Sequence, residues 1–188
     1  MSPNSWFSQP VYIPGGNPES MNESSLLYPG QLGIRFNYIN PPRSVGGADA
    51  SEDGRSKGFQ LVHTDSSMTT APYDGAVAWW ARQDLYRVTT NPATLGRGRV
   101  AGVFRNAVTV GNYCCIQIKG PSTTKFVDAP TAQPTAAGLI VVPSATAGKA
   151  DCLAAGTAAT YPLLGRSMGV YNAQEATGLV DLDVPEVY

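Results

Sequence analysis

The sequence between residues 75 and 90 decides between a helical protein and a β-protein. It reads Gly75-Ala76-Val77-Ala78-Trp79-Trp80-Ala81-Arg82-Gln83-Asp84-Leu85-Tyr86-Arg87-Val88-Thr89-Thr90. Its apolar side chains include a set spaced as on one face of a helix: Val77, Trp80, Ala81, Leu85 and Val88. The paired tryptophans, the Val-Thr-Thr run and the following Asn-Pro stop favour strands instead. We therefore favour two strands around a short turn at residues 81–84, with an amphipathic helix as the alternative.

The composition of the whole chain agrees with a β-protein. Its 188 residues include 20 glycines and 15 prolines. So many residues that interrupt regular secondary structure are typical of short strands joined by turns. Hydrophobic residues make up 43% and charged residues only 14%, so the chain has ample core-forming residues and is too apolar to be disordered. The length fits one large domain, or one domain with an arm.

Alternation of apolar and polar residues predicts strands elsewhere in the chain. The predicted strands cover residues 32–38, 59–63, 99–103, 113–119, 125–127, 139–142 and 179–184. Gly120-Pro121 is expected to end the strand at 113–119, because proline cannot donate to a ladder. Alternation places Cys114 and Cys115 on opposite faces of that strand. In the last strand, it places Val180, Leu182 and Val184 inside and both Asp181 and Asp183 outside.

The N-terminal region differs from the rest. Five prolines between residues 3 and 29 exclude a central strand or a helix interior there. The same stretch carries large apolar residues, which predicts an extended arm laid across its own domain or a partner; a frayed terminus is the alternative. We predict partner-binding residues Trp6, Phe7, Val11, Tyr12, Ile13, Leu26, Leu27 and Tyr28. We predict that residues 1–57 hold this arm, one strand and a flexible loop, that residues 58–188 form the β-rich domain, and that deletion of residues 1–28 leaves a folded domain.

Few residues offer catalytic or metal-binding chemistry. The one histidine, His63, lies in a predicted strand, so a Ser-His-Asp or Cys-His arrangement would depend on it alone. Three cysteines without Cys/His spacing give neither a disulfide framework nor a zinc site. Asp181 and Asp183 have the spacing of the solvent side of an edge strand. We expect no enzyme activity, no cofactor and no metal.

Charge and hydropathy indicate which binding partners and which cellular compartment to expect. The formal net charge is −1, without the basic excess that nucleic-acid binding needs. No apolar run is long enough for a membrane span, and residues 1–10 lack the features of a secretory signal. We expect synthesis in a reducing cytoplasm and no nucleic-acid or membrane partner.

An ordered set of short motifs carries a resemblance. The set comprises Gly75-Ala76-Val77-Ala78-Trp79-Trp80, Tyr86-Arg87-Val88-Thr89-Thr90, Val100-Ala101-Gly102-Val103-Phe104, residues 111–120, 142–148 and 164–170, and Gly178-Leu179-Val180-Asp181-Leu182-Asp183-Val184. Over residues 58–184 the chain resembles the capsid decoration, or cement, proteins of tailed bacteriophages. The resemblance implies a compact β domain, often a homotrimer, that binds the major capsid protein on the outer face of the head, and it implies no catalytic residue.

Together these observations predict an all-β fold, a small compact β-barrel or β-sandwich-like domain with an extended Pro-rich N-terminal arm. The function expected from the resemblance is that of a structural virion protein. It would be made in the host cytoplasm and would bridge major capsid protein subunits on the outer surface of the capsid. The alternative is a tail, fibre or other surface adhesion module that binds glycan or another virion protein. A solvent-exposed Trp79 or Trp80 would favour that alternative.

Overall fold

The computed structural model describes residues 17–26, 29–39, 56–92, 99–159 and 162–184. Within these residues the regular structure is β, with three single-turn 3₁₀ helices at Pro18–Ser20, Pro29–Gln31 and Gln83–Leu85 and no α-helix. The ten strands are β1 (Arg35–Ile39), β2 (Ser56–Thr64), β3 (Val77–Arg82), β4 (Arg87–Thr89), β5 (Val100–Phe104), β6 (Tyr113–Lys125), β7 (Ala137–Pro143), β8 (Ala150–Cys152), β9 (Gly165–Asn172) and β10 (Thr177–Asp183). The predicted all-β class is confirmed.

Five of the strands close into a barrel. Their order is β2-β4-β3-β5-β6, and β6 pairs back onto β2 to complete the ring. β2 and β4 run parallel, whereas the other neighbours in the ring are antiparallel. Closure leaves the ring itself with no open sheet edge, which is the usual way in which small β-proteins avoid exposed pairing groups.

The remaining five strands pack outside the barrel. β1 pairs with β2, while β10 pairs with the second half of β6 and continues the sheet through β9, β7 and β8. β1 and β2 are therefore hydrogen-bonded to one another across the predicted boundary between residues 57 and 58, and β2 begins before it, at Ser56. The division into an arm region and a β-rich domain remains a prediction.

The segment that decides the fold forms two strands. Trp79 pairs with Thr89 and Trp80 with Val88, and the 3₁₀ turn Gln83–Leu85 joins β3 to β4. The prediction of two strands around a short turn is thus confirmed over the helical alternative. The connection closes at Tyr86, which adopts the left-handed conformation with φ 50°.

β6 is longer than predicted, and the expectation that Gly120-Pro121 ends it is wrong. Pairing with β2 stops at Lys119, but β10 pairs with residues 119–125 and carries the strand onward. Gly120 turns the chain at this handover with φ +82°, and a Cβ on it would lie 2.6 Å from the carbonyl oxygen of Ser56. A new partner strand, which local sequence does not reveal, thus overrides the proline signal.

Two groups of buried side chains lie on the two faces of the barrel wall. The interior cluster includes Val62, Cys114 and Ile116, and the outer cluster consists of Met21, Phe59, Leu61 and Cys115. The adjacent cysteines therefore face opposite sides, as predicted, and both are free thiols. In β10 the predicted alternation is also confirmed, since Val180, Leu182 and Val184 are buried and both aspartates are exposed.

Candidate functional site

Residues 17–26 lie across the outer face of the barrel, and we call this segment the clasp. It starts with Asn17, whose side-chain oxygen accepts a hydrogen bond from the Glu19 amide at 2.9 Å and so caps the first 3₁₀ turn. Pro18 occupies the first helical position, where a missing amide hydrogen costs nothing. Further along, Glu23 exchanges two backbone hydrogen bonds with Tyr113, of 3.0 and 2.8 Å. The clasp thereby reaches the start of β6.

A buried ion cluster fixes the beginning of the clasp. The Glu19 carboxylate accepts a hydrogen bond from Lys57 Nζ at 2.6 Å and lies 3.7 Å from Arg105 Nε. The Lys57 side chain is completely buried, and those of Arg105 and Glu19 are only 9% and 12% exposed. A buried ammonium without a countercharge is strongly unfavourable, so the carboxylate supplied by the clasp stabilises the position of Lys57.

Met21 fills the outer cluster behind this ion pair. Its side chain is 1% exposed, and its sulfur lies 3.6 Å from Cys115 Sγ. The Asn106 side chain donates a hydrogen bond to the Met21 carbonyl at 3.2 Å, which satisfies a backbone acceptor of an irregular segment. Met21 is therefore a core residue of the body, although it lies in the predicted arm.

Asn22 ties the clasp to the loop before β6. Its side-chain oxygen accepts hydrogen bonds from the Thr109 amide at 3.1 Å and from Asn112 Nδ2 at 2.8 Å. With Glu19, Met21 and Glu23, this residue makes the clasp part of the folded body. Deletion of residues 1–28, predicted to leave a folded domain, would remove all of these contacts, so we expect that a deletion which keeps them must stop at residue 16.

The predicted partner-binding residues have different outcomes. Leu26 is half-buried and packs against the outer cluster of its own domain, together with Phe36, Tyr38 and Tyr113. The predicted residues Trp6, Phe7, Val11, Tyr12, Ile13, Leu27 and Tyr28 lie outside the described residues. Sequence reasoning missed Glu19, Met21 and Lys57. Alternation within β2 does contain a signal, because it puts Lys57 on the same face as Phe59 and Leu61.

His63 and Asp65 belong to residue types that can act in catalysis, and both contact neighbouring side chains of the fold. The half-buried His63 ring packs against the Tyr113 ring at a centroid distance of 4.5 Å, with the two ring planes tilted by 53°. Nearby, hydrogen bonds from the Ser67 hydroxyl and amide, aided by Arg87 3.9 Å away, lower the pKa of Asp65. In the described part of the chain, no group of three or more His, Cys, Asp or Glu side chains could hold a metal ion.

The three thiols are shielded. Burial raises the pKa of Cys115 to about 12 and that of Cys152 to about 11, and it raises the pKa of Cys114 well above its ordinary value. Because the thiolate is the reactive form, these cysteines are unreactive at neutral pH while their cover is in place. A redox role for the adjacent pair has no geometric basis, since the two side chains face opposite sides of the barrel wall.

Trp79 and Trp80, whose exposure would favour glycan binding, are both buried. Trp79 is 1% and Trp80 7% exposed, so neither presents a flat ring to solvent. Exposed apolar side chains occur instead on the turn between β3 and β4, where Leu85 is 45% and Tyr86 38% exposed. The Tyr86 ring covers Gly33, at which any Cβ would overlap it.

An open groove of about 530 Å³ crosses the sheet where β1, β2, β6 and β10 lie side by side. Two glycines contribute to its lining, and its charged side chains are of both signs. The lining residues are Asn37, Ser56, Gly58, Lys119, Gly120, Asp181, Leu182 and Asp183.

Among the described residues, no helix is long and apolar enough to cross a membrane.

Comparison of the chain with known protein families, with curated proteins and with solved structures gives no match.

Proposed function

We propose that this chain is a structural virion protein that binds the outer surface of a tailed-phage capsid and stabilises the assembled head. Its partners in this proposal are the major capsid protein and two further copies of itself. The observation that carries the proposal is the clasp, because it anchors the residue from which the apolar N-terminal segment departs. The resemblance of residues 58–184 to cement proteins supplies the identity of the partner.

The anchor matters because a cement protein acts by bridging. Sixteen residues precede the clasp, and an extended chain of that length spans at most about 55 Å. A segment attached at such an anchor transmits load to the barrel through the Glu19–Lys57 pair and the buried Met21 side chain. Binding to the assembled shell and not to free subunits favours assembly by mass action.

The apolar residues of the segment suit an interface. Trp6, Phe7, Tyr12 and Ile13 would become buried on a neighbouring subunit, and buried aromatic side chains dominate the energy of protein interfaces. A patch of roughly 800 Å² per partner is the usual scale of a specific contact. The exposed turn with Leu85 and Tyr86 offers the body a second contact surface.

The alternative, an adhesion module of a tail or fibre, is less well supported. An exposed Trp79 or Trp80 would have favoured its glycan-binding form, and both are buried. The proposal assigns no catalytic residue, because the resemblance to cement proteins implies none.

Co-sedimentation with undecorated heads tests the proposal. Full-length protein is expected to pellet with heads in a fixed ratio, whereas a variant with Trp6→Ala and Phe7→Ala is expected to remain in the supernatant. The matched control, Ser5→Ala with Ser8→Ala, should bind like the wild type. Failure of the full-length protein to bind heads, or full binding by the Trp6/Phe7 variant, would count against the proposal.

A further inference from the structure

We infer that the clasp is a strap that opens as a unit while the barrel stays folded, and that Glu19 controls this opening. An open strap removes Met21 from the outer cluster and uncovers Cys115. The inference concerns the free protein and stands apart from its binding to heads.

The first step is the way the clasp is attached. Among the described residues, a single β-bridge between Glu23 and Tyr113 joins it to a strand. The barrel strands beneath it, by contrast, are joined by continuous ladders, with β2 and β6 paired from Phe59 to His63. Segments held by few backbone bonds open with a lower free energy than paired strands do. The clasp is therefore the weaker of the two layers.

The second step is the position of the thiols relative to these layers. Cys115 lies directly under Met21, whereas Cys114 belongs to the barrel interior. Cys152 belongs to the same buried cluster as Cys114 and lies on β8, which packs outside the barrel and is separate from the clasp. Opening of the clasp exposes the first of these thiols only, while global unfolding exposes all three.

The third step is the role of Glu19. In the closed state its carboxylate lies between two buried cations, Lys57 and Arg105. Replacing it by a neutral group removes a charged hydrogen bond from a completely buried ammonium, which weakens the closed state specifically. Glu23 offers a matched control, because it lies in the same segment but engages Tyr113 through its backbone.

The opening has a consequence that rests on the proposed function. Release of residues 17–26 adds ten residues to the sequence that precedes the barrel, or roughly 35 Å of extended chain. The strap would then adjust the reach of the segment to the spacing of capsid subunits.

Thiol labelling of the free full-length protein tests the inference. N-ethylmaleimide is added under native conditions, and the modification of each cysteine is followed by peptide mass spectrometry. In the wild type, Cys115 is expected to react faster than Cys114 and Cys152. Glu19→Gln should accelerate the labelling of Cys115 by about tenfold or more and leave it faster than the labelling of Cys114 and Cys152, and Glu23→Gln should leave all three rates near those of the wild type.

Several results would overturn the inference. One is a common labelling rate for the three thiols in the wild type, or no labelling of Cys115. Another is a Glu19→Gln variant that does not accelerate the labelling of Cys115, or in which Cys115 reacts no faster than the other two thiols, which includes the case of an unfolded variant. Met21→Ala provides a second readout, since it must also accelerate Cys115 and leave it the fastest of the three thiols. None of these results depends on head binding, so failure of the strap and failure of the proposed function are distinguishable.

Discussion

The ammonium group of Lys57 lies 2.6 Å from the carboxylate of Glu19, although 38 positions separate the two residues in the chain. Lys57 projects from the second position of β2 into a layer that solvent does not reach. The pair joins the N-terminal segment to the barrel and makes the clasp part of the folded body.

The Glu19–Lys57 pair is expected to contribute measurably to stability. Glu19→Gln should lower the free energy of unfolding by about 3 kcal/mol, because it removes a charged hydrogen bond from a completely buried ammonium. Urea denaturation measures the change. The double variant Glu19→Gln/Lys57→Met should be more stable than Glu19→Gln alone, and equal stability of the two would contradict a buried pair.

Met21 is expected to behave as a core residue. Met21→Ala should cost about 2–3 kcal/mol of unfolding free energy, since it removes a buried side chain and leaves a cavity against Cys115. Ser24→Ala, at an exposed position of the same segment, should change stability by less than about 0.5 kcal/mol. Similar values for the two variants in thermal or urea unfolding would show that the clasp does not cover the barrel.

Comparing Gly120 with Gly111 separates the cost of a left-handed backbone from the cost of a steric clash. Their φ values are +82° and +87°, but a Cβ at Gly120 would lie 2.6 Å from Ser56 O, whereas Gly111 has open space around it. Gly111→Ala should cost about 1 kcal/mol for the left-handed conformation alone. Gly120→Ala should cost clearly more, because the backbone must also move, and equal unfolding free energies would contradict the bend in β6.

Asp65 is expected to make the free energy of unfolding decrease as the pH becomes acidic. Its pKa in the folded protein lies below the ordinary value of 3.8, chiefly because Ser67 donates hydrogen bonds to it. The folded state thus binds a proton less readily than the unfolded chain. The resulting stability is present above that ordinary value and is lost as the pH falls through the folded pKa.

Asp65→Asn and Ser67→Ala should both reduce the loss of unfolding free energy between neutral pH and pH 3. Urea midpoints measured across that range provide the check. Unchanged pH dependence in both variants would remove Asp65 as its source.

Several elements of the fold could be predicted from local sequence. Alternation identified β10, whose aspartates face solvent, and it separated Cys114 from Cys115. β2 and β5 were identified from short runs rich in apolar residues, and most of their residues are buried. The Val-Thr-Thr run and the Asn-Pro stop resolved the segment around Trp79 in favour of strands. These signals depend only on neighbouring residues.

Other features depend on partners distant in sequence. β6 continues past Pro121 because β10 pairs with it there, and β8 and β9 consist largely of small or polar residues without clear alternation. The clasp is held by contacts such as Asn22 with Asn112, 90 positions apart. Proline content correctly indicated irregular backbone but could not show that Met21 is buried.

The thermal stability of phage heads tests the central claim most directly. Undecorated heads are heated alone, with full-length protein, or with protein that lacks residues 1–16, and release of capsid subunits is followed by light scattering. We predict a higher disassembly temperature with the full-length protein only. Equal stabilisation by the truncated protein, or binding of the full-length protein without any rise in disassembly temperature, would contradict the account.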